Sequence, residues 1–207
     1  SNYKIPIPPL PIQQEIVTIL DSFTTLDGSL QAELEARRKQ YEHYRNQLLN
    51  FEGKSIQRLK LVEIAQVING RAYSQPELLS EGKYPVLRVG NFFTNNSWYY
   101  SNLELEENKY CDNGDLLYAW SASFGPKLWN GNKVIYHYHI WKIDCSKIID
   151  KKFLYYWLQS EDMANQAFSI KHGATMAHLT KEKMEKLMVP IPPLSEQERI
   201  VGILDKF

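Results

Sequence analysis

Residues 5–23 read IPIPPLPIQQEIVTILDSF and residues 189–207 read VPIPPLSEQERIVGILDKF. Twelve of the nineteen aligned positions are identical at a separation of 184 residues. A repeat so far apart exceeds any solenoid period and points to tandem units, each with its own connecting element. The chain therefore carries one long unit plus the opening of the next, and the segment between the copies is a self-contained module. Pro6, Pro8 and Pro9 exclude helix and favour extended or polyproline geometry, so each copy opens on a strand or an extended arm. An apolar-periodic run follows each arm and predicts a helix. Pro11 is tolerated in its first turn, and Ser195 with Glu198 three residues on reads as a capping box in the second copy.

The helix after the first arm is long. Phe23, Leu26, Leu30, Leu34, Tyr41, Tyr44, Leu48 and Phe51 recur at alternating steps of three and four, with Arg37 in the remaining slot. This is close to a heptad seam. A helix over 12–51 would run ~60 Å, longer than a compact domain of this size encloses. The seam Leu26, Leu30, Leu34, Tyr41, Tyr44 and Leu48 therefore predicts a partner helix, either a second copy or a different one. An ordinary amphipathic helix packed on the core is the alternative. Gly28 is a candidate local break.

Beyond Gly53 the pattern changes. β-rich runs at 84–89, 115–120 and 133–143 are bounded by turn residues such as Asn69-Gly70, Asn113-Gly114 and Asn130-Gly131-Asn132. A helix is expected over 151–168, with Leu154, Trp157, Leu158, Ala164 and Phe168 on one face. A glycine-containing loop over 171–178 and a short helix from about Lys181 lead into the second arm. The fold class is α+β: a mixed α/β module flanked by a long coiled-coil-forming helix. The domain boundaries are 1–52 for arm and helix, 53–188 for the module and 189–207 for the second arm.

The chemistry is mostly negative. There is no P-loop, GxGxxG fingerprint or HExxH. The Pro-Pro pairs lack the preceding Asn or Asp with which an amino-methyltransferase grips its target amine. Ser121–Gly125 lacks the first glycine of a nucleophile elbow, and Ser80/Lys83 fit only the common SxxK spacing. His137 and His139 alternate onto one face of the expected strand, with no third ligand in sight, and read as paired surface histidines rather than a metal site. Cys111 and Cys145 have no metal-type spacing and read as reduced thiols of a cytoplasmic protein. No apolar run is long enough for a membrane span. The net charge is zero, which argues against strong non-specific nucleic-acid binding and leaves a local basic face open. The sequence reads as a binder without catalytic or metal residues of its own. Four loops, 69–73, 88–91, 121–127 and 171–178, combine glycine with polar or basic side chains. Such loops let backbone approach phosphates while side chains reach base edges.

The arm and helix, with LEARRKQYEHYRNQLL downstream, resemble the conserved region of a type I restriction–modification specificity subunit. YPVLRVGNF, GDLLYAWSASFG and GATMAHLTKEKMEKLMVPIPPLSEQERIVGILDKF resemble its target-recognition domain and the exit into the next conserved helix. The resemblance implies a non-enzymatic subunit that reads one half of a split site in double-stranded DNA and docks the modification (methyltransferase) subunit. That partner would bring S-adenosylmethionine, and a restriction/translocase subunit would be engaged indirectly. On the module, Arg71, Tyr73, Arg88, Asn91, Lys127, Lys171, His172, Thr175 and His178 are the expected DNA-facing residues, with Arg88 equally readable as a strand-end residue paired to a carboxylate. One recognition domain is present where the family pattern has two, so a fragment or a half-sized subunit is expected. Two half-sized chains would pair as a homodimer through residues 12–51. The rival reading is a non-enzymatic coiled-coil scaffold whose globular module binds protein or peptide.

Overall fold

The computed structural model describes residues 5–121, 123–167 and 179–207. The chain separates into two compact units, residues 1–44 and 45–207.

The first unit is dominated by a single helix, α1, which spans Leu10–Leu49 in all. It begins at Leu10, with Pro11 in its first turn, where a missing N–H costs nothing. Gly28 does not break it. In its hydroxyl-rich stretch Thr18, Ser22, Thr24, Thr25 and Ser29 each donate to the carbonyl four residues back, so these hydroxyls are satisfied within the helix. Leu26, Leu30 and Leu34 are all more than half exposed. Phe51, expected as the last seam residue, lies past the helix end and is buried against Phe153, ring centroids 6.3 Å apart.

The second unit is the α+β module. In chain order it comprises β1 (Arg58–Lys60), α2 (Leu61–Ile64), β2 (Ala65–Asn69), β3 (Tyr84–Leu87), α3 (Val89–Phe93), β4 (Tyr99–Ser101), β5 (Tyr110–Cys111), β6 (Leu116–Ser121) and β7 (Ser123–Leu128). There follow β8 (Val134–Tyr136), β9 (Ile140–Cys145), α4 (Lys151–Trp157), α5 (Glu161–Ala167), α6 (Lys181–Glu185), β10 (Met188–Pro190) and α7 (Leu194–Leu204). One antiparallel sheet has the order β2-β9-β6-β7. A second, ordered β4-β3-β8-β5, is mixed, its β3–β8 pair being parallel. Both sheets contribute to one core: Leu87, Tyr136 and Val134 of the second meet Leu117, Ala119 and Ile140 of the first.

Three runs of the module depart from their sequence expectation. The run 133–143 is not one strand. It turns at His137–His139, so that β8 and β9 belong to different sheets, and the two histidines sit in a turn rather than on a strand face. The run 84–89 ends at Leu87, because Arg88 is the N-cap of α3. The helix over 151–168 breaks at 158–160 into α4 and α5, and this shifts the buried face of the second half to Met163 and Ala167, leaving Ala164 exposed. Phe168 lies outside the described residues.

The second arm shows what the repeat encodes. Its residues 188–190 form β10, which pairs antiparallel with β1. The capping box is not formed. Pro193 is the N-cap, Ser195 lies inside α7, and the Pro193 carbonyl accepts from the amides of Glu196 (2.8 Å) and Gln197 (3.1 Å). The first copy starts in the same way, Pro9 accepting from Ile12 (3.0 Å) and Gln13 (3.1 Å). In both copies the glutamine amide donates back to the preceding proline carbonyl, Gln13 to Pro8 at 2.7 Å and Gln197 to Pro192 at 2.8 Å. Gln197 is fully buried; its Oε1 accepts from the Asp150 amide (2.7 Å) and its Nε2 also donates to the Ile148 carbonyl (3.2 Å). Ile200 and Leu204 are buried beside it, and Asp205 accepts from Tyr156 Oη (2.6 Å) and Lys152 Nζ (2.5 Å).

Candidate nucleic-acid interface

The turn that carries the chain from one sheet to the other is the hub of the site. The His137 and Tyr138 amides donate to the carbonyls of Leu87 (2.9 Å) and Arg71 (3.0 Å). The three turn carbonyls accept in their own order: His137 from the Ile140 amide (2.9 Å), Tyr138 from Trp120 Nε1 (2.9 Å) and His139 from the Trp120 amide (3.1 Å). The loop after β2 lies hard against this turn. A Cβ on Gly70 would stand 2.3 Å from the His137 carbonyl oxygen, so only glycine permits the approach. Arg71 forms a parallel bridge with His137.

Around the hub the structure brings Arg71, Tyr73 and Arg88 together. The Arg71 fork donates to both oxygens of Glu77 (2.6 and 3.1 Å) and its guanidinium lies 5.1 Å from the Tyr73 ring centre. That hydrogen bond holds the Glu77 carboxyl at about 2, well below the usual carboxylate range. Tyr73 stacks on His137 at 6.3 Å, and burial raises its phenol. Arg88 is paired to no carboxylate among the described residues; its guanidinium lies 5.0 Å from the Tyr99 ring centre. Asn91 and Lys127 form a second group. The Asn91 amide closes the loop after α3 on the carbonyls of Asn95 (3.0 Å) and Ser97 (2.7 Å), and Lys127 Nζ on β7 donates to the Phe92 carbonyl (2.7 Å). These two side chains spend their polar atoms on α3 and its loop. Lys171, His172, Thr175 and His178 lie outside the described residues.

The sequence reading missed the aromatic side of the hub. Trp120 stacks on Trp141 (5.5 Å, 18°), which stacks on buried Tyr118 (6.2 Å, 21°). The ladder thus runs from the core to the turn, where Trp120 meets His139 edge-on at 5.1 Å. Burial, the His139 neighbour and Arg88 hold His137 at about 4, and burial lowers His139 as well. Both imidazoles are therefore neutral at pH 7, each with one donor and one acceptor nitrogen. The alternation of aromatic and histidine residues over 136–141 was the available signal, but a strand assignment points it the wrong way. No group of three or more His, Cys, Asp or Glu among the described residues is placed to hold a metal ion.

A mixed α+β module with a polar, aromatic-lined hub, entered from a long exposed helix and left through a repeat of that helix's opening, defines a class: a recognition module on a repeated helical connector. The chain belongs to the type I restriction modification DNA specificity domain family, whose model matches residues 1–36 and 54–207. It is 32% identical to a putative type I restriction enzyme specificity subunit of Haemophilus influenzae over all of this chain and 56% of that protein. It is likewise 32% identical to the EcoR124I/EcoR124II specificity subunit of Escherichia coli, covering 57% of it. The chain thus spans a little over half the length of these two relatives. The crystal structure of the HsdS subunit of Thermoanaerobacter tengcongensis shares the fold across 98% of this chain and 52% of that one, with a TM-score of 0.65 and 20% identity.

Proposed function

We propose that this chain is a sequence-reading, non-catalytic component of a type I restriction–modification complex. Its module, residues 53–188, would bind duplex DNA and read one half of a bipartite site. The arm and helix would serve as the connector that docks the modification subunit and sets the spacing between half-sites. Methyl transfer, and the S-adenosylmethionine it needs, would belong to that partner, with a restriction/translocase subunit engaged through it. The Leu26–Leu48 seam would pair with a second helix, in a homodimer where two such chains meet. The observation that carries this reading is the family match, which takes in both copies of the arm and the whole module between them. The zero net charge fits a reader whose affinity is shared with a partner, since phosphate contacts supply most non-specific binding.

The test is to co-express the chain with a modification subunit from its own operon and select bound duplexes from a randomised library. An enriched motif, split and symmetric if two chains pair, supports the proposal. A stable complex with no enriched motif, or no complex, favours a scaffold instead.

A further inference from the structure

Surface turns are ordinarily satisfied by their own side chains or by water and carry small polar residues. The turn His137-Tyr138-His139 is built differently. Its backbone is sewn to four segments: the loop after β2 through Arg71, the end of β3 through Leu87, β6 through Trp120, and its own continuation through Ile140. Gly70 presses against it from below. The two strands it joins belong to different sheets, so neither end can shift without disturbing a sheet.

What it displays is unspent. Among the described residues, no side chain or backbone group hydrogen-bonds to the His137, Tyr138 or His139 side chains, although all three are planar rings with polar edges. Tyr138 is 39% exposed at the tip. Its ring lies 3.9 Å from that of His139 and 4.5 Å from that of His137, so the three rings form one cluster. Tyr118 and Trp141, by contrast, are buried. These imidazoles are neutral at pH 7 and carry both a donor and an acceptor, so they can match the mixed donor–acceptor pattern of a base edge, which a phosphate, offering acceptors alone, lacks. The flanking cations Arg71 and Arg88 are already held, one by Glu77 and one over Tyr99.

We propose that the turn 137–139 is the base-reading element of the module, with Tyr138 and His139 contacting base edges in a groove of duplex DNA and His137 orienting them. The inference rests on the DNA-reading function proposed above. Prepositioning is what such contacts demand, because a donor held in place loses little freedom on binding.

The test uses the complex of the full chain with its modification subunit and the same randomised library, comparing wild type with Tyr138→Ala, Tyr138→Phe, His139→Ala and His139→Gln. The melting temperature of each chain is taken first, and the Phe and Gln variants carry the test if the alanine variants fail to fold. The expected result is a motif relaxed at one or two adjacent positions, with discrimination there falling about 10-fold while the other positions keep theirs. Folded variants that select the wild-type motif with the same discrimination overturn the inference and leave the proposed function standing. A uniform loss of affinity with an unchanged motif also overturns it, since it makes the turn a backbone contact. If the wild-type complex selects no motif, the proposed function itself fails and the inference falls with it.

Discussion

His137 is held at about 4 by its half-buried place between Arg88 and a second imidazole. Its ordinary value lies near 6.5, so between these two values the unfolded chain binds a proton that the folded chain refuses. Stability must therefore fall as pH drops through that window and be unaffected by this group above it. His137→Gln, measured by urea unfolding at pH 7.0 and 4.5, should lose less stability on acidification than the wild type does; equal losses would show that the imidazole is not held neutral. Gly70 is the other residue with a sharp expectation. Alanine there must displace the carbonyl oxygens of His137 and Tyr136, which its Cβ would meet at 2.3 and 2.5 Å. We expect a loss of roughly 1–3 kcal/mol, with the hub distorted and DNA selection impaired beyond what the stability loss explains. An unchanged unfolding midpoint would mean that the loop and turn are not locked.

Elements explain what could and could not be read in advance. The 40-residue α1 was legible because a seam repeated over that length has no other solution. So was β6, whose Leu116, Leu117, Tyr118 and Ala119 are all buried, as an unbroken apolar run implies. The division of 133–143 was not legible, because Tyr136, Tyr138 and Ile140 continue a strand pattern straight through the turn. What turns the chain is tertiary: the carbonyls of Leu87 and Arg71 take the amides of His137 and Tyr138. The short strand β1 was equally hidden, since three residues carry no period, whereas β10 falls in an arm read as strand or extended and only its pairing with β1 was not legible. Of the candidate site, Arg71, Tyr73 and Arg88 converge as glycine-flanked polar loops would suggest. Asn91 and Lys127 turn instead to α3 and its loop, a choice made by packing that no local pattern shows.

For the molecule as a whole, the exposed line of α1 sets the first expectation. With Leu26, Leu30 and Leu34 a little over half exposed, each side chain forgoes roughly 1 kcal/mol of burial that a partner helix would restore. The chain at micromolar concentration should scatter light as a dimer, and Leu26→Asp with Leu30→Asp should scatter as a monomer with an unaltered module. A wild-type monomer would show that the seam waits for another protein. The repeat sets the second. All four residues that seat the second arm, Gln197, Ile200, Leu204 and Asp205, have identical counterparts in Gln13, Ile16, Leu20 and Asp21, whereas the positions that differ include Ser195, Glu198, Arg199 and Gly202. The sequence thus holds one key cut twice, with a single lock in the described structure that it turns. Grafting residues 6–21 in place of 190–205, which leaves buried Val189 untouched, should leave urea unfolding within about 1 kcal/mol of wild type, because a surface ion pair and side chains outside the core are what change. Gln197→Ala, which strands the Asp150 amide, should cost ~1–3 kcal/mol. If the graft fails as badly as the alanine, the likeness is of letters alone; if it holds, modules and connectors of this kind can be traded between chains at the arm without redesigning the joint.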